Sequence, residues 1–439
     1  MSARRADARG EGSVDVARVE RIVAGGRGLV RVGEEVRFVD GALAGELVEI
    51  EWDPKSKRAR RLVVLEASPA RREPPCAWAR SCGGCDFIHA DEATQAAMRA
   101  GIVRDQLEHA MRAKVVVESL PASEATGYRT RARLHLEVRG KRATVGYFAP
   151  RTNALVPIEA CLVLGEGLLD AARAVAEACV PTAGERAPRE LSAELSVAFG
   201  AGGLPVVEVV AAQDPPASTV GRLAARVGVS LAGISLRLPG ASQPVRLGDP
   251  RPVQVGLDDR AVVLASGGFG QPSDEGARVL GKLVVELAAP AERTILELHA
   301  GSGTFSVGLA AGARAFSSIE ENASAVDCAR ENLTARGLRG KLRVGDAETA
   351  TIPTGLDVVV LDPPRQGAKL ASVNVARARP RRVVYVSCDP ATLARDLQVF
   401  RAEGYSIDRA VALDLFPQTS HVETVVALRR ARPSRGSST

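Results

Sequence analysis

A cysteine that follows a predicted buried strand could act as a nucleophile in this chain. Cys388 comes after the apolar run Val383 to Val386 and before Asp389-Pro390, which ends the strand. The carboxyl ends of strands in an α/β sheet are where such sheets bind ligands, so a thiol there is well placed for covalent chemistry. A free cysteine is also often just a small buried hydrophobe, and the neighbouring motifs must decide between these interpretations.

Glu423 is the candidate for acid–base chemistry. It begins the apolar run that ends at Leu428, and burial beside such a strand raises a carboxyl pKa towards neutrality, where the group can act as a base. A capping or surface-paired glutamate is the structural alternative. His421, two residues earlier at a predicted loop end, is a weaker candidate for the same role.

A nucleoside-binding site is predicted by the stretch that begins at Thr294. The strand Thr294 to Leu298 leads into Gly301-Ser-Gly303 and a helix, and Ser306 replaces the third glycine of a dinucleotide-binding motif. Glu320 ends the next strand about twenty residues later, where one carboxylate can hold both ribose hydroxyls. Two later predicted strands also end at an aspartate, namely at Asp346 and Asp362.

Together these groups predict methyl transfer from S-adenosylmethionine to a carbon atom that is a poor nucleophile. Carbon 5 of a pyrimidine becomes reactive only after a thiolate adds to carbon 6, and a base must then remove the carbon-5 proton. In this hypothesis Cys388 is the nucleophile, Glu423 is the base, and Asp362-Pro-Pro-Arg365 lies nearby. A cytosine-5 enzyme also uses a cysteine adduct, but it would need an acid directed at the ring nitrogen.

Four cysteines predict a metal or iron–sulfur site. Cys76, Cys82 and Cys85 share one loop, and Cys82-Gly-Gly-Cys85 lets that loop fold back on itself, with Cys161 as the nearest later cysteine. Four thiolates suit either zinc or an iron–sulfur cluster. The uneven spacing lacks the paired knuckles of common zinc modules and favours a [4Fe–4S] cluster. The structural alternative is that three of these cysteines are free.

Basic residues indicate two possible nucleic-acid contacts. Arg129, Arg131 and Arg133 alternate along a predicted strand, which would place them on one face as phosphate contacts, unless they are only solvated. The stretch Lys55 to Arg61 lies in a region of short alternating runs that predicts a small β-barrel, a fold that commonly binds single strands or RNA; a solvated loop is the alternative. The net charge of +6 is compatible with a phosphate-rich partner.

The sequence predicts a multidomain α/β protein. No run of about 18 apolar residues is present and the chain starts with polar residues, which excludes a membrane span and a signal peptide, so we expect a cytosolic protein without a membrane partner. The predicted segments are a disordered tail (1–13), an OB-like β-barrel (14–70), a central α+β domain with the cysteine site (71–265), a Rossmann-like domain (266–430) and a basic tail (431–439).

These motifs together resemble those of the RNA uracil-5 methyltransferases, a family with an amino-terminal TRAM barrel, an iron–sulfur site and a class I methyltransferase domain. The resemblance covers nearly the whole chain. The stretches that carry it are Cys76 to Cys85, Phe269-Gly-Gln271, Leu296 to Phe305, Leu361 to Arg365, Val386 to Asp396 and His421 to Leu428.

The resemblance implies a role for each matching residue. Cys388 would be the nucleophile, Glu423 the base, and Phe269 would pack near the target base or the cofactor. His299 stands where the family usually has an aromatic residue, and we count it among the cofactor contacts. The implied contacts of S-adenosylmethionine are Gln271, His299, Gly301, Gly303, Thr304, Glu320, Asp346 and Asp362, and the implied ligands of a [4Fe–4S] cluster are Cys76, Cys82, Cys85 and Cys161.

Structured RNA is the partner that the resemblance implies, with 23S rRNA favoured and tRNA as the alternative. The target base must be unstacked and turned into the pocket of what we expect to be a monomer. The cluster would hold the central domain together, since the reaction needs no electron. Two alternatives from other classes are a non-catalytic RNA-binding or ribosome-assembly factor and an iron–sulfur electron carrier, although no second redox motif is present.

Overall fold

The computed structural model describes residues 14–53, 59–185 and 188–430. The predicted tails and the basic side chains of the stretch Lys55 to Arg61 lie outside the described residues. Within the described ranges, no helix is both long and apolar enough to cross a membrane.

Five antiparallel strands form the amino-terminal sheet, in the order β3-β2-β1-β4-β5. Alternating apolar residues give each strand one face for a small core around Val30, Val48 and Ile50. The edge strands β3 and β5 contact one another. The strands are β1 (Val14–Val23), β2 (Arg27–Val32), β3 (Glu35–Val39), β4 (Leu47–Trp52) and β5 (Ala59–Glu66).

A buried ion pair ties this sheet to the segment that follows it. The fully buried Glu46 accepts hydrogen bonds from Arg71 Nε at 2.5 Å and Arg71 Nη2 at 2.7 Å, and also from the backbone N–H groups of Leu43 and Ser68. Burial by itself would raise the pKa of Glu46, but Arg71 and the two amides outweigh burial, so this pKa is lowered.

We expect Arg71→Met to lower the free energy of unfolding by about 3 kcal/mol at neutral pH, because it leaves the Glu46 carboxylate buried without its cation. Because the pKa of Glu46 is lower in the folded state, its carboxylate stabilises that state at pH values above the ordinary pKa of 4.5. This contribution disappears as the pH falls through the lowered pKa. Chemical denaturation at several pH values measures both effects. The control Glu20→Gln removes an exposed partner of Arg31 and should change stability by less than about 0.5 kcal/mol.

Helix α1 (Glu92–Met111) and strand β6 (Glu118–Pro121) follow the cysteine-rich loop. The Asp91 side chain caps α1 by accepting a hydrogen bond from Thr94 N at 2.7 Å. The helix ends at Arg112, whose φ of 53° is left-handed. The cap and the left-handed residue therefore set the two ends of α1.

A seven-stranded sheet forms the central region, in the order β13-β12-β11-β10-β7-β8-β9. Helix α2 packs on one face, and all neighbouring strands are antiparallel except β11 and β12. The elements are β7 (Arg131–Arg139), β8 (Arg142–Phe148), β9 (Leu155–Pro157), α2 (Leu168–Ala178), β10 (Glu190–Phe199), a 3-10 turn (Ala201–Gly203), β11 (Pro205–Ala211), α3 (Thr219–Ala224), β12 (Gly233–Arg237) and β13 (Val245–Gly248). A two-stranded ribbon follows, made of β14 (Val253–Val255) and β15 (Ala261–Val263).

The carboxyl-terminal sheet has eight strands in the order β18-β17-β16-β19-β20-β22-β21-β6. The five strands from β18 to β20 are parallel. The inner strands β19 and β20 are mostly apolar and buried, as expected where helices cover both faces of a parallel sheet. The elements are α4 (Asp274–Ala288), β16 (Thr294–Leu298), α5 (Ser306–Gly312), β17 (Ala315–Glu320), α6 (Ala323–Thr334), β18 (Lys341–Val344), β19 (Val358–Leu361), α7 (Lys369–Ala378), β20 (Arg382–Ser387), α8 (Pro390–Ala402), β21 (Tyr405–Asp414) and β22 (Glu423–Arg430).

Strand β6 lies at the edge of this last sheet although it precedes the central sheet in the chain. It pairs in parallel with β21, with Glu118 opposite Val411. Helix α1 likewise packs on α8. The boundary predicted at residue 266 therefore omits one strand and one helix that belong with the carboxyl-terminal sheet.

Candidate active site

The structure brings Cys388 and Glu423 together at one edge of the carboxyl-terminal sheet. Strand β20 ends at Ser387, and β22 pairs antiparallel with it so that Ser387 lies opposite Thr424. Cys388, one residue beyond β20, therefore lies beside Glu423, the first residue of β22. Asp389 then caps α8 by accepting hydrogen bonds from Ala391 N and Thr392 N, both at 2.9 Å, which stops the strand where the sequence predicted.

Burial governs the ionisation of this pair. Burial, together with the carboxyl groups of Glu423 and Asp362, raises the pKa of Cys388 to about 12, and Arg365 partly offsets them. Burial and the neighbouring Asp362 likewise raise the pKa of Glu423 well above its usual range. The pKa of Asp362 is raised to about 7, again by burial. Any cation bound among these three groups would favour their ionised forms.

The raised carboxyl pKa values predict a pH-dependent stability. A neutral Asp362 stabilises the folded state fully below pH 3.8, and this contribution is lost as the pH rises to about 7. We therefore expect Asp362→Asn to be more stable than the wild type by about 1–2 kcal/mol at alkaline pH, with little difference under acid conditions. Thermal denaturation across that range measures the difference. The exposed control Asp327→Asn should parallel the wild type, and a parallel Asp362→Asn curve would contradict the prediction.

The glycine turn after β16 has the shape that the sequence predicts. His299, Gly301 and Gly303 have φ values of 58°, 53° and 87°, so the chain reverses in the left-handed region. A Cβ atom on Gly303 would lie 3.1 Å from Ala329 Cβ, so glycine lets the turn pack closely on α6. Glu320 ends β17 as predicted, and its Oε2 accepts a hydrogen bond from Gly301 N at 2.9 Å.

Two buried polar atoms near this turn have no partner in the described part of the chain: Gln271 Oε1 and His299 Nε2. Gln271 is 3% exposed, and its backbone exchanges hydrogen bonds with the Gln254 side chain. The segment before Gln271 is joined to the turn by a hydrogen bond from Ala265 N to Ser302 Oγ at 3.0 Å. Because buried polar atoms are almost always paired in native proteins, these two fit a site that is completed by a polar ligand.

The other predicted cofactor and substrate residues differ in exposure. Thr304 is partly buried in the glycine turn, whereas Asp346 is exposed and accepts hydrogen bonds from Glu348 N and Thr349 Oγ1. Phe269 has 73% of its surface exposed, on the segment that leads to Gln271. An aromatic ring left in solvent beside a pocket is available to stack on a base.

The three arginines do not share one basic face, so that prediction is wrong. Strand β7 begins only at Arg131, and a bend at Thr130 separates Arg129 from it. The Arg129 guanidinium lies 5.6 Å from the centroid of the Tyr128 ring and lines the cavity of the cysteine site. Arg131 packs against Gly270, and its Nε and Nη2 atoms are buried without a partner in the described residues. Of these three arginines, Arg133 is the exposed one on β7, where it pairs with Glu194 at 3.2 Å.

Two buried carboxylates near the site were not predicted. Glu297 lies inside β16, accepts a hydrogen bond from Ser306 Oγ at 2.5 Å, and has a pKa that burial raises to about 8. Asp396 of α8 accepts hydrogen bonds from Tyr385 OH at 2.7 Å and Ala368 N at 2.8 Å. The Asp396 contacts fix the end of the loop that carries Arg365. An acid within an otherwise apolar strand or helix face was the available signal in both cases.

The four predicted cysteine ligands line one cavity, together with Trp78, Tyr147 and Arg129. The cysteines are Cys76, Cys82, Cys85 and Cys161. Gly83 permits this arrangement, since a Cβ atom there would lie 2.9 Å from Phe148 O on β8. The Tyr147 hydroxyl is buried without a partner in the described residues, so it is free to donate to a sulfur ligand.

No group of three or more His, Cys, Asp or Glu side chains in residues 14–53, 59–185 and 188–430 is arranged to hold a metal ion. A cubane cluster is wider than a single ion, so its cysteine ligands stand farther apart. The donor set and the unpaired hydroxyl fit such a group.

Comparisons with known proteins identify the family of this chain. Residues 353–431 match the family described as tRNA (Uracil-5-)-methyltransferase, and residues 261–379 match the methyltransferase small domain. The chain is 33% identical over 422 residues to the 23S rRNA (uracil(1939)-C(5))-methyltransferase of Pseudomonas putida, covering 93% of this chain and 92% of that protein. It is 32% identical to an uncharacterized RNA methyltransferase of Gloeobacter violaceus, covering 96% and 97%.

Among solved structures, the tRNA (uracil-54, C5)-methyltransferase of Pyrococcus abyssi, in complex with S-adenosyl-L-homocysteine, superimposes with a TM-score of 0.72. The match covers 94% of this chain and 99% of that chain at 23% identity. At this identity the likeness shows the fold, which is amino-terminal antiparallel sheets followed by a class I methyltransferase domain.

Proposed function

The chain belongs to the RNA uracil-5 methyltransferase family, which makes it an S-adenosylmethionine-dependent enzyme that methylates carbon 5 of uracil in RNA, and we propose that its substrate is a uridine of 23S rRNA. The support for this substrate is that several relatives at 32–33% identity, matched over nearly their full length, are 23S rRNA enzymes. The tRNA enzyme from Pyrococcus abyssi, at 23% identity, argues only for the fold. A tRNA uridine remains the second candidate, because residues 353–431 match the family described by its tRNA activity.

The observation that carries the proposed mechanism is the position of Cys388 beside Glu423 across the β20–β22 pair. In the proposal the Cys388 thiolate adds to carbon 6 of the uracil, forming an Sγ–C6 bond and moving an electron pair to carbon 5 and oxygen 4. S-adenosylmethionine would supply an electrophilic methyl group: carbon 5 forms a bond to this methyl group while the methyl–sulfur bond breaks, and S-adenosylhomocysteine is the leaving group. Glu423 then removes the carbon-5 proton, the C5–C6 double bond re-forms, and the Sγ–C6 bond breaks to restore the thiolate.

The charges around Cys388 suit this order of events. In the free protein the thiol is protonated, since burial raises its pKa to about 12, and Arg365 is the neighbouring residue that opposes this shift. The positive sulfonium of a bound cofactor would lower the pKa values of Cys388 and Glu423 together. A bound cofactor would therefore favour the ionised forms of the nucleophile and the base, which the reaction needs.

Contacts for the cofactor are proposed from the sheet edge. Glu320, Asp346 and the backbone of the turn Gly301 to Thr304 suit the nucleoside, while Asp362 suits the methionine part or the target base. The unpaired Gln271 Oε1 and His299 Nε2 atoms are the polar groups that such a ligand would satisfy.

RNA binding is proposed for the amino-terminal sheet, as a TRAM barrel, and for the exposed Phe269 and Arg133. On the sheet, Arg27 lies 4.8 Å from the centroid of the partly exposed Phe38 ring, a cationic and aromatic surface of the kind that binds single-stranded RNA. Arg131, with its unpaired buried nitrogens, would meet a phosphate or the flipped nucleotide. Arg129 is assigned instead to the cysteine cavity.

A [4Fe–4S] cluster held by the four cysteines is proposed as a structural group. Its ligands come from the loop before α1 and from the segment after β9, so binding would join two distant parts of the chain. Removing the iron should therefore unfold the central region. The idea fails if iron-free protein keeps its fold and RNA binding but loses methyl transfer.

Tritium release tests the proposed reaction. Total RNA labelled with 5-[3H]-uridine, from cells that lack the enzyme, should lose tritium when incubated with the protein and S-adenosylmethionine, because Glu423 must remove that hydrogen. Fractionating the RNA beforehand identifies the substrate. Release from 23S rRNA alone supports the proposal, release from tRNA alone supports the second candidate, and no release from either contradicts the proposed chemistry.

A further inference from the structure

The β21–β22 loop, residues 415–422, leads directly into Glu423. Its backbone is unusual at Gln418, where φ is 71°, a left-handed value that residues with side chains seldom adopt. Conformations of this kind persist only where their surroundings hold them, and they occur most often at functional sites.

Gln418 is 1% exposed, and each of its hydrogen-bonding atoms has a partner. Its N–H donates to Gln95 Oε1 at 2.8 Å, and its carbonyl accepts from Phe87 N at 2.9 Å. Its Oε1 accepts from Gln95 Nε2 and Arg72 Nη2, both at 3.0 Å, and its Nε2 donates to Ala125 O at 3.1 Å. The loop therefore takes its conformation from residues that lie 293 to 346 positions earlier in the chain.

Contacts beyond Gln418 hold the same loop. Ser420 donates from its N–H to Asp86 Oδ1 at 2.6 Å and from its hydroxyl to Asp86 Oδ2 at 2.5 Å. The buried Arg99 donates to Thr419 O at 2.8 Å and also pairs with Asp414, the last residue of β21, at 2.6 Å. Both sides of Gln418 are thus attached to the segment 86–99.

The two flanks of Glu423 are held in different ways. On its carboxyl side, β22 is hydrogen-bonded between β20 and β21, with Ser387 opposite Thr424. On its amino side the ladder ends at the pair Leu413–Glu423, and the contacts of residues 415–422 hold the chain that precedes it. The direction in which the Glu423 carboxylate points therefore depends on where Asp86, Gln95 and their partners place the loop.

We propose that Asp86, Gln95 and Gln418 are positioning residues for the proton-removal step. They hold the β21–β22 loop so that Glu423 reaches the carbon-5 proton of the methylated adduct. This inference rests on the proposed role of Glu423 as the base. A displacement of about 1 Å at a reacting group can cost about 100-fold in rate, so the loop contacts should be visible in turnover.

The same contacts join the cysteine loop to the active site. Asp86 directly follows Cys85 in the chain, and Tyr128, which lies against Arg129 of the cysteine cavity, donates from its hydroxyl to Pro417 O at 3.1 Å. The conformation of the cysteine loop is thereby transmitted to the residues before Glu423.

The test separates proton removal from the earlier steps by using two RNAs. In 5-fluorouridine RNA, carbon 5 carries fluorine instead of hydrogen, so the reaction stops at the methylated covalent adduct and reports only thiol addition and methyl transfer. Asp86→Ala changes an exposed side chain, and Gln418→Gly permits the left-handed backbone while removing the side-chain contacts.

For both variants we expect adduct formation on 5-fluorouridine RNA at about the wild-type rate, within twofold. Turnover on ordinary RNA should fall about 10- to 100-fold, with a covalent RNA–protein complex accumulating. Hydrogen exchange at the amides of residues 418–420 should be faster in the RNA-free variants. Asp86→Asn, which keeps an acceptor for Ser420 N, should restore most of the turnover.

The matched control is Asp105→Ala, which removes a carboxylate of α1 that pairs with Arg21 of β1 and does not contact the loop. It should behave like the wild type. Unchanged turnover in Asp86→Ala and Gln418→Gly, or an equal loss of adduct formation and turnover, would overturn the inference. Failure of the wild-type protein to form any adduct would instead refute the proposed function.

Discussion

Replacing Cys388 with alanine is expected to reduce methyl transfer by at least about 10⁴-fold, because carbon 5 of uracil is not nucleophilic without the Sγ–C6 bond. Incorporation of a labelled methyl group from S-adenosylmethionine into unmodified 23S rRNA measures the loss. Binding of RNA should change little, since the substitution removes only the thiol of one residue, which lies just beyond the end of β20.

The control for Cys388→Ala is Cys179→Ala, which also removes a buried thiol but lies at the end of α2, on the central sheet. This variant should keep nearly all of the activity. Retention of more than about a tenth of the wild-type rate by Cys388→Ala would exclude covalent catalysis through this residue.

Glu423→Gln is expected to trap the enzyme on its RNA. The amide cannot accept the carbon-5 proton, so the reaction should proceed through thiol addition and methyl transfer and then stop, with turnover lower by about 10²- to 10⁴-fold. A protein–RNA complex that carries one labelled methyl group and survives denaturation should accumulate with ordinary RNA, in the ratio of one RNA to one protein.

Two further variants identify the base. In the double variant Cys388→Ala, Glu423→Gln no covalent complex can form. His421→Gln should turn over without trapping, because the His421 ring packs edge-on beside Phe416, 5.9 Å between centroids, whereas Glu423 is the residue that lies beside Cys388. Trapping by His421→Gln, but not by Glu423→Gln, would transfer the role of the base to the histidine.

The sequence predicted both reactive residues from local patterns. Cys388 and Glu423 each adjoin an apolar run. Such a run, and the Asp-Pro or loop residues that bound it, can be recognised within a few consecutive positions of the sequence. Likewise, the glycine turn and the position of Glu320 at the end of the next strand follow from the short βαβ unit, in which a strand, a turn and a helix are consecutive. For this reason the strand Thr294–Leu298 is confirmed at the predicted bounds.

Patterns of this kind failed where a bend or a distant partner intervened. Alternation predicted one face for Arg129, Arg131 and Arg133, but a bend at Thr130 places Arg129 against the cysteine cavity and leaves Arg131 buried beside Gly270. Glu297 was overlooked although an acid inside an apolar strand was a signal, because the hydrogen bond from Ser306 that explains its burial is visible only in the structure.

By itself, the sequence determined which residues are candidates for the reactive groups, the kind of element that each one adjoins and the family to which the chain is related. Only the tertiary structure decided that β22 lies between β20 and β21, which places Glu423 beside Cys388, and that β6 completes the sheet from a position before the central region. Only the tertiary structure also shows that Gln95 and Asp86 hold the loop before Glu423. The physical reason is that strand order and loop conformation depend on contacts between residues far apart in the chain, and no local pattern encodes those contacts.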